Sequence, residues 1–138
     1  MLLPKKVKFR KWHNDRTNKL GIPDTRGTKL SFGSFGLKAE TGARIRSNQI
    51  ESARKAMAHS LTKAGRVWIR IFPDRPFTSK PAEVGMGKGK GDPSGYCFEV
   101  RPGRILFEVD GIDESTAKEA LRKAGTKLPI KTKVVSRK

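Results

Sequence analysis

Apolar side chains recur at helical spacing in two stretches of the chain. The first runs from Ser47 to Gly65, where Ser47 and Asn48 can cap a helix and Gly65 can end it. Its apolar positions are three or four residues apart: Ile50, Ala53, Met57, Leu61 and Ala64. The second begins at Asp113 and places four residues on one face before Gly125: Ala117, Ala120, Leu121 and Ala124. The spacing therefore predicts two amphipathic helices.

Alternation of apolar side chains with other residues predicts strands elsewhere. Runs on either side of Gly33 and Ser34 predict a strand, a kink and a second strand: Leu30 and Phe32, then Phe35, Leu37 and Ala39. A further strand ends at Pro73 and carries apolar residues at alternate positions: Val67, Ile69 and Ile71. A last strand, residues 130–135, follows Pro129.

A β-hairpin is predicted around the Pro102-Gly103 turn. Proline presets the first central position of such a turn, and glycine accepts the positive φ of the second. Two strands, residues 96–101 and 104–109, would then bury their apolar side chains on one face: Tyr96, Phe98 and Val100 opposite Val109, Phe107 and Ile105. The exposed face would carry salt bridges among the remaining charged residues: Glu99, Arg101, Arg104 and Glu108.

The irregular alternation of strands and helices, with antiparallel pairing in the hairpin, predicts an α+β fold. We expect a mixed or antiparallel β-sheet with two packed α-helices, formed as a single domain by residues 29–138. Residues 1–28 show no sustained strand or helix period and are rich in cations, which predicts an extended basic arm. Residues 79–95 would protrude from the domain as a loop rich in Gly and Lys.

The net positive charge of the chain indicates which class of molecule it binds. The 138 residues include 31 Lys and Arg against 13 Asp and Glu, a formal net charge of +18. A chain with this charge attracts polyanions, which relieve its self-repulsion. Nucleic acid is favoured over a membrane, because the sequence has no run of 18 apolar residues and no secretory signal at its start. The single cysteine, Cys97, excludes an internal disulfide and agrees with a reducing compartment.

The most informative segment is the alternation of Gly and Lys between Glu83 and Asp92. Glycine allows close approach to backbone N–H groups and each lysine is a mobile point charge, so the segment suits phosphate. The P-loop pattern fails because Lys90 is followed by Gly91, and the dinucleotide-binding pattern lacks its third glycine. A solvated, disordered hairpin is the alternative interpretation.

Two other groups of residues allow two interpretations each. Phe9 and Trp12 interrupt the arm and can either stack on unpaired bases or pack the root of the arm onto the domain. Lys55, His59 and Lys63 lie opposite the apolar stripe of the first helix and form either a solvated face or a ridge that faces RNA.

Residues with catalytic chemistry are sparse and dispersed. His13 and His59 are the only imidazoles, and no Cys or His residues have the spacing of metal ligands. Ser34 lacks the first glycine of a nucleophile elbow. The sequence therefore predicts a binding protein without metal or cofactor rather than an enzyme.

Six spaced motifs resemble one ribosomal family. In chain order they are MLLPK (1–5), IESAR (50–54), VWIRIFP (67–73), MGKGKG (86–91), PGRILFEV (102–109) and KLPIKT (127–132). The chain resembles, over its whole length, bacterial large-subunit ribosomal protein sixteen, a family related to the archaeal and eukaryotic L-ten-e proteins. The resemblance implies a structural constituent of the large ribosomal subunit that binds 23S-type rRNA near the peptidyl-transferase region. It also implies contacts with neighbouring ribosomal proteins and A-site tRNA, with contact to P-site tRNA left open, and a role in late assembly.

The resemblance implies RNA contacts for the arm and for the loop, and the basic surface of the domain adds further candidates. The rRNA-binding candidates are Lys5, Lys6, Lys8, Arg10 and Lys11 in the arm and Lys55, Lys63, Lys131 and Lys133 on the domain. The loop residues that would face rRNA and tRNA are Gly85, Met86, Gly87, Lys88, Gly89 and Lys90. Gly85 departs from the family, which has Arg before Met-Gly-Lys, so any contact made by that guanidinium is absent here. Cytoplasmic ribosomes are the expected location, with organellar ribosomes as the alternative.

The residues alone leave two further classes of function open. One is a non-ribosomal RNA-binding or RNA-modifying protein whose chemistry would reside on Asp or Glu, and turnover on RNA would distinguish it. The other is a packing protein for duplex DNA, and competition between duplex DNA and ribosomal RNA would distinguish that class.

Overall fold

The residues described by the computed structural model are 2–9, 11–12, 20–61, 64–79 and 92–137. Within these ranges the elements are, in chain order, β1 (Phe35–Ala39), β2 (Ala43–Arg46), α1 (Ser47–Ser60), β3 (Arg66–Ile69), β4 (Arg75–Ser79), β5 (Asp92–Val100), β6 (Ile105–Asp110), α2 (Glu114–Gly125) and β7 (Thr132–Ser136). The strands pair antiparallel in two sheets, with the orders β3-β6-β1-β7 and β2-β5-β4. The predicted α+β class, with antiparallel strands and two packed helices, is confirmed, and the strands divide between two sheets.

Both helices bury the faces that their spacing predicts. The fully buried residues of these faces are Ile50, Ala53 and Met57 in α1 and Ala117, Ala120, Leu121 and Ala124 in α2. α2 packs on β1, β6 and β7, whereas α1 packs on α2 and on β2 and β5. The hydrophobic core therefore lies between the helices and the sheets, around Leu37 and Phe107. Burial of each such large side chain contributes about 1.5–3 kcal/mol.

The two helices differ in how well their ends match the prediction. α2 follows Asp113, whose carboxylate accepts the backbone N–H of Thr116, as expected for an N-cap. The predicted continuation of α1 through Ala64 is wrong, because the helix ends at Ser60 and the next residue, Leu61, has extended backbone angles. The apolar stripe reaches Leu61, which packs against the core, but Ala64 is exposed.

The predicted hairpin around Pro102-Gly103 is wrong, although the turn itself forms. Gly103 has a φ of +97°, and the backbone N–H of Arg104 donates to the carbonyl oxygen of Arg101 at 3.3 Å. β5 pairs with β2 and β4, and β6 pairs with β1 and β3, so both edges of each strand are occupied by other strands. The turn therefore carries the chain from one sheet into the other.

The predicted strand at Leu30 and Phe32 is also wrong. The backbone N–H groups of residues 31–33 donate to the carboxylate of Glu108, at 2.9, 2.9 and 3.0 Å, rather than to a neighbouring strand. Leu30 lies close to Gly36, where an added Cβ would come within 2.3 Å of the leucine Cδ2. The segment thus crosses the face of the four-stranded sheet that is turned away from the core.

The remaining strands were predicted in part. β3 and β7 confirm two predicted strands with shifted ends: β3 stops at Ile69 before the buried Ile71, and β7 begins at Thr132. β2 and β4 have no counterpart in the sequence prediction. Together with β5 they form the three-stranded sheet, which carries the Gly/Lys segment.

Candidate nucleic-acid interface

The lysines of the arm that the structure describes are exposed to solvent. The exposed lysines of the arm are Lys5, Lys6, Lys8 and Lys11, and the predicted Arg10 lies outside the described residues. Residues 2–9 and 11–12 form neither helix nor strand. Each ammonium group is therefore at the end of a long side chain on an irregular backbone, which can follow a chain of phosphates.

The two aromatic residues of the arm have different surroundings. The guanidinium carbon of Arg75 lies 5.3 Å from the centre of the Trp12 ring, which places Trp12 against β4 in a cation–π arrangement. Phe9 is 60% exposed, with the Nζ of Lys8 at 5.6 Å from its ring centre. The packing interpretation therefore fits Trp12, whereas the exposed ring of Phe9 agrees with either interpretation.

The end of the arm is fastened to the turn between the two sheets. The backbone N–H of Asp24 donates to the carbonyl oxygen of Pro102, and the N–H of Ile105 donates to that of Gly27, both at 2.8 Å. The carboxylate of Asp24 also pairs with Arg104 at 3.5 Å. The last residues of the predicted arm therefore pack on the domain.

The predicted loop residues 85–90 lie outside the described residues, but the strands on either side are described. β4 and β5 pair from Arg75 opposite Cys97 to Ser79 opposite Asp92. Residues 80–91 consequently connect the ends of two paired strands. The predicted protruding loop, residues 79–95, is therefore shorter than expected at both ends, because Ser79 belongs to β4 and residues 92–95 belong to β5.

Arginines of the three-stranded sheet were not singled out from the sequence. Glu99 on β5 pairs with Arg75 Nη1 at 2.5 Å and with Arg44 Nε at 3.4 Å, instead of with the arginines of the turn. The guanidinium carbon of Arg46 lies 4.8 Å from the centre of the Phe77 ring. These guanidinium groups add positive charge to the sheet that leads into the Gly/Lys segment.

Glu108 is buried, which corrects the prediction of an exposed salt bridge. One carboxylate oxygen accepts the N–H groups of residues 31–33, and the other pairs with Arg70. Burial raises the pKa of Glu108, but the N–H of Gly33, the guanidinium of Arg70 and the other two N–H groups outweigh it, so the pKa lies below its ordinary value. The charged carboxylate therefore fixes the segment before β1 to the sheet.

Three lysines and one histidine are among the residues that line a groove of about 600 Å³ between the helices. Lys55 and His59 of α1 line it together with Lys123 and Lys127, which lie on α2 and just after it. The structure thus places the exposed Lys55 beside further lysines, which agrees with either interpretation of this helix face. Lys63 lies outside the described residues.

A second groove, of about 340 Å³, lies beside the segment that crosses the four-stranded sheet. Lys29, Lys38 and Arg137 are among its lining residues, and the sequence did not single out these three. The predicted Lys131 and Lys133 are exposed, and Lys133 lies opposite Lys38 in the register of β1 and β7. Antiparallel pairing of distant segments brings these cations together, which local sequence patterns do not reveal.

Potentially reactive side chains are dispersed in the described part of the chain. No three His, Cys, Asp or Glu side chains in these ranges are grouped to hold a metal ion. Cys97 is buried, and burial raises the pKa of its thiol. No helix among the described residues has the length and apolar character needed to cross a membrane.

Comparison with known proteins connects this basic α+β chain with one family. The family described as Ribosomal protein L16p/L10e matches residues 4–135. The chain belongs to this family. The large ribosomal subunit protein uL16 of Rhodopseudomonas palustris (strain BisB18) is 55% identical over 137 residues, which are 99% of this chain and 98% of that protein.

Two further relatives show the same level of similarity. The uL16 protein of Nitrobacter winogradskyi is 54% identical, with 99% of this chain and 98% of that protein covered. That of Acidiphilium cryptum is also 54% identical, with coverage of 99% and 97%. The family assignment confirms the resemblance carried by the six motifs. Members of the L16p/L10e family are structural ribosomal proteins, so this chain is not an enzyme.

Proposed function

We propose that this L16p/L10e family member is built into the large ribosomal subunit by binding its rRNA through the arm, the Gly/Lys loop and the basic surface of the domain. The loop contacts A-site tRNA near the peptidyl-transferase region, and P-site tRNA is a further candidate for contact. Binding of these RNAs supports late assembly of the subunit, and neighbouring ribosomal proteins are additional partners.

The observation that carries this proposal is the contact between Trp12 and Arg75. The Trp12 ring lies against Arg75 on β4, one of the two strands that lead into the Gly/Lys segment. Arg75 and Ser79 are four residues apart on this strand, a distance of about 13 Å. Trp12 of the arm is thus near a strand that leads into the Gly/Lys segment, which supports the proposal that the arm and the loop act on one RNA surface.

The mechanism is electrostatic and positional. Phosphates of packed RNA helices repel one another, and ammonium groups that replace condensed counterions lower this repulsion. Contacts of this type fix the position of the RNA but do not read its sequence. Cations in the two grooves, including Lys55 and Lys38, extend the same contact over the domain.

Replacing both Lys88 and Lys90 with Ala is expected to weaken rRNA binding and to lower its salt dependence. Each lost phosphate contact lowers the slope of log K against log[salt] by about 0.7–0.9. Binding of purified protein to deproteinised large-subunit rRNA over a range of salt concentrations measures this slope. Competition with duplex DNA in the same assay tests whether the folded rRNA is preferred, as a ribosomal protein requires.

A charge-matched control removes two cations from α2. Lys118 and Arg122 are exposed and pair with Glu114 and Glu119, respectively, so the variant Lys118→Ala/Arg122→Ala loses the same formal charge. We expect a smaller change in slope for this control than for the loop variant. An unchanged slope in the loop variant would rule out the loop as an rRNA contact.

A further inference from the structure

One pair of aromatic rings lies at the surface instead of in the core. The Phe32 ring is 56% exposed and stacks on the Trp68 ring, with ring centres 5.9 Å apart and planes 17° apart. The guanidinium carbon of Arg70 lies 5.2 Å from the centre of the Phe32 ring. Packing of the core does not explain a large apolar ring in this position, because more than half of its surface remains in water.

The cluster of Phe32, Trp68 and Arg70 is ordered from beneath by one buried group. The carboxylate of Glu108 accepts the backbone N–H of Phe32 and also pairs with Arg70. Trp68 lies directly opposite Glu108 in the register of β3 and β6. A ligand of this surface therefore meets rings and a guanidinium that are already in place, which reduces the entropy lost on binding.

Charge around the cluster favours one class of partner. Arg66 is exposed and lies two residues before Trp68 on β3, hence on the same side of the strand. The guanidinium of Arg70 is paired with Glu108 and faces the Phe32 ring, so Arg66 is the cation available to a partner, and an apolar protein surface gains little from it. A nucleotide, in contrast, offers a flat base to the rings and a phosphate to a guanidinium, on a chain with a net charge of +18.

We infer that Phe32, Trp68 and Arg70 form a stacking site for one unpaired base of the large-subunit rRNA, with Arg66 on the adjacent phosphate. This inference rests on the proposed function, because the RNA is the one that the arm and loop bind. Stacking uses the face of the base, so the site accepts any of the four bases and adds affinity without reading sequence.

Replacing Phe32 with Leu tests the stacking site. Leucine keeps an apolar side chain and leaves the backbone contacts of Glu108 intact, but it removes the aromatic face. Binding to deproteinised large-subunit rRNA should weaken about 5- to 150-fold, which is the range that stacking of one base implies. The salt slope should be unchanged, because no phosphate contact is lost. Phe32→Tyr should restore binding.

Phe72 provides the matched control. It is also exposed, at 42%, but it lies outside the stacked pair, so Phe72→Leu should bind the rRNA as the unchanged chain does. The unchanged chain should prefer this rRNA over duplex DNA. If it does, and the affinity of Phe32→Leu for the rRNA is within about 2-fold of that of the unchanged chain, the stacking site is overturned while the proposed function stands. If the unchanged chain shows no such preference, both fail.

Crosslinking in assembled subunits is a second, independent test of the stacking site. With the photoreactive residue p-benzoylphenylalanine at position 32, irradiation of large subunits that contain the chain should attach the peptide to rRNA. Attachment to a neighbouring ribosomal protein in place of rRNA would overturn the inference and show that the cluster is a protein contact.

Discussion

Replacing Glu108 with Gln is expected to lower the free energy of unfolding by about 3 kcal/mol. The carboxylate is fully buried and is shared by three backbone N–H groups and the guanidinium of Arg70. A neutral amide has one acceptor oxygen, so either the N–H groups or Arg70 lose their partner in a place from which water is excluded. Urea denaturation at pH 7 measures the difference.

Glu99 is the control for this substitution. Its side chain is one-third exposed and pairs with Arg44 and Arg75, so Glu99→Gln should cost no more than about 1 kcal/mol. A Glu108→Gln protein within about 1 kcal/mol of the unchanged chain would contradict a stabilising role of the buried carboxylate.

The contribution of Glu108 should also depend on pH. The pKa of its carboxyl is lower in the folded chain than its ordinary value of 4.5, so the folded state favours the charged form. The stabilisation is therefore fully present above pH 4.5 and is lost as the pH falls through the lower, folded pKa. The difference in stability between the unchanged chain and Glu108→Gln should shrink over that acidic range in denaturation experiments.

Removing four lysines from the arm should have the largest effect on RNA binding. The variant replaces the exposed lysines of the arm with Ala: Lys5, Lys6, Lys8 and Lys11. If each contacts one phosphate, the salt slope falls by about 3 and the affinity for large-subunit rRNA at 0.1 M salt falls about a thousand-fold. Because these side chains are exposed on irregular backbone, the free energy of unfolding should not change measurably.

A second arm variant separates charge from other effects. Replacing the same lysines with Arg keeps the charge, so the salt slope should be preserved. A slope reduced by less than about 1 in the Ala variant would show that the arm is not a principal phosphate-binding element.

The helices could be predicted because their information is local. The apolar stripe of each helix repeats every three or four residues, and a single cap such as Asp113 marks the start. The prediction failed at Ala64, which continues the spacing after the chain has already left the helix at Leu61. The spacing of apolar residues alone does not show where the backbone leaves the helix.

The sheets were harder to predict because their pairings are not local. The turn at Pro102-Gly103 and the apolar alternation on both sides agree with a hairpin, yet the edges of the two strands are occupied by distant segments. β2 offers only two apolar residues, Ala43 and Ile45, and β4 contains Pro76, so the strand signal is weak in both. Tertiary pairing therefore overrides a consistent local pattern.

The RNA contacts of the candidate site stay a prediction, and what the structure adds is the exposure of the side chains. The arm lysines, Lys55, Lys131 and Lys133 are exposed as a basic surface requires. The role of Glu108 was missed, because its alternation with apolar residues predicts a solvent-facing position and only the segment folded over it changes that. Similarly, Lys38 and Lys133 become neighbours through strand register, which the sequence does not display.

Sedimentation from lysate tests the central claim, that this chain is an integral component of the large ribosomal subunit. A tagged chain is passed through a sucrose cushion at moderately high salt, and the fractions are compared for the chain and for the rRNAs. We predict that it travels with the large subunit in stoichiometric amount, because many phosphate contacts together resist salt that removes weakly bound proteins. Recovery in the soluble fraction would contradict the claim.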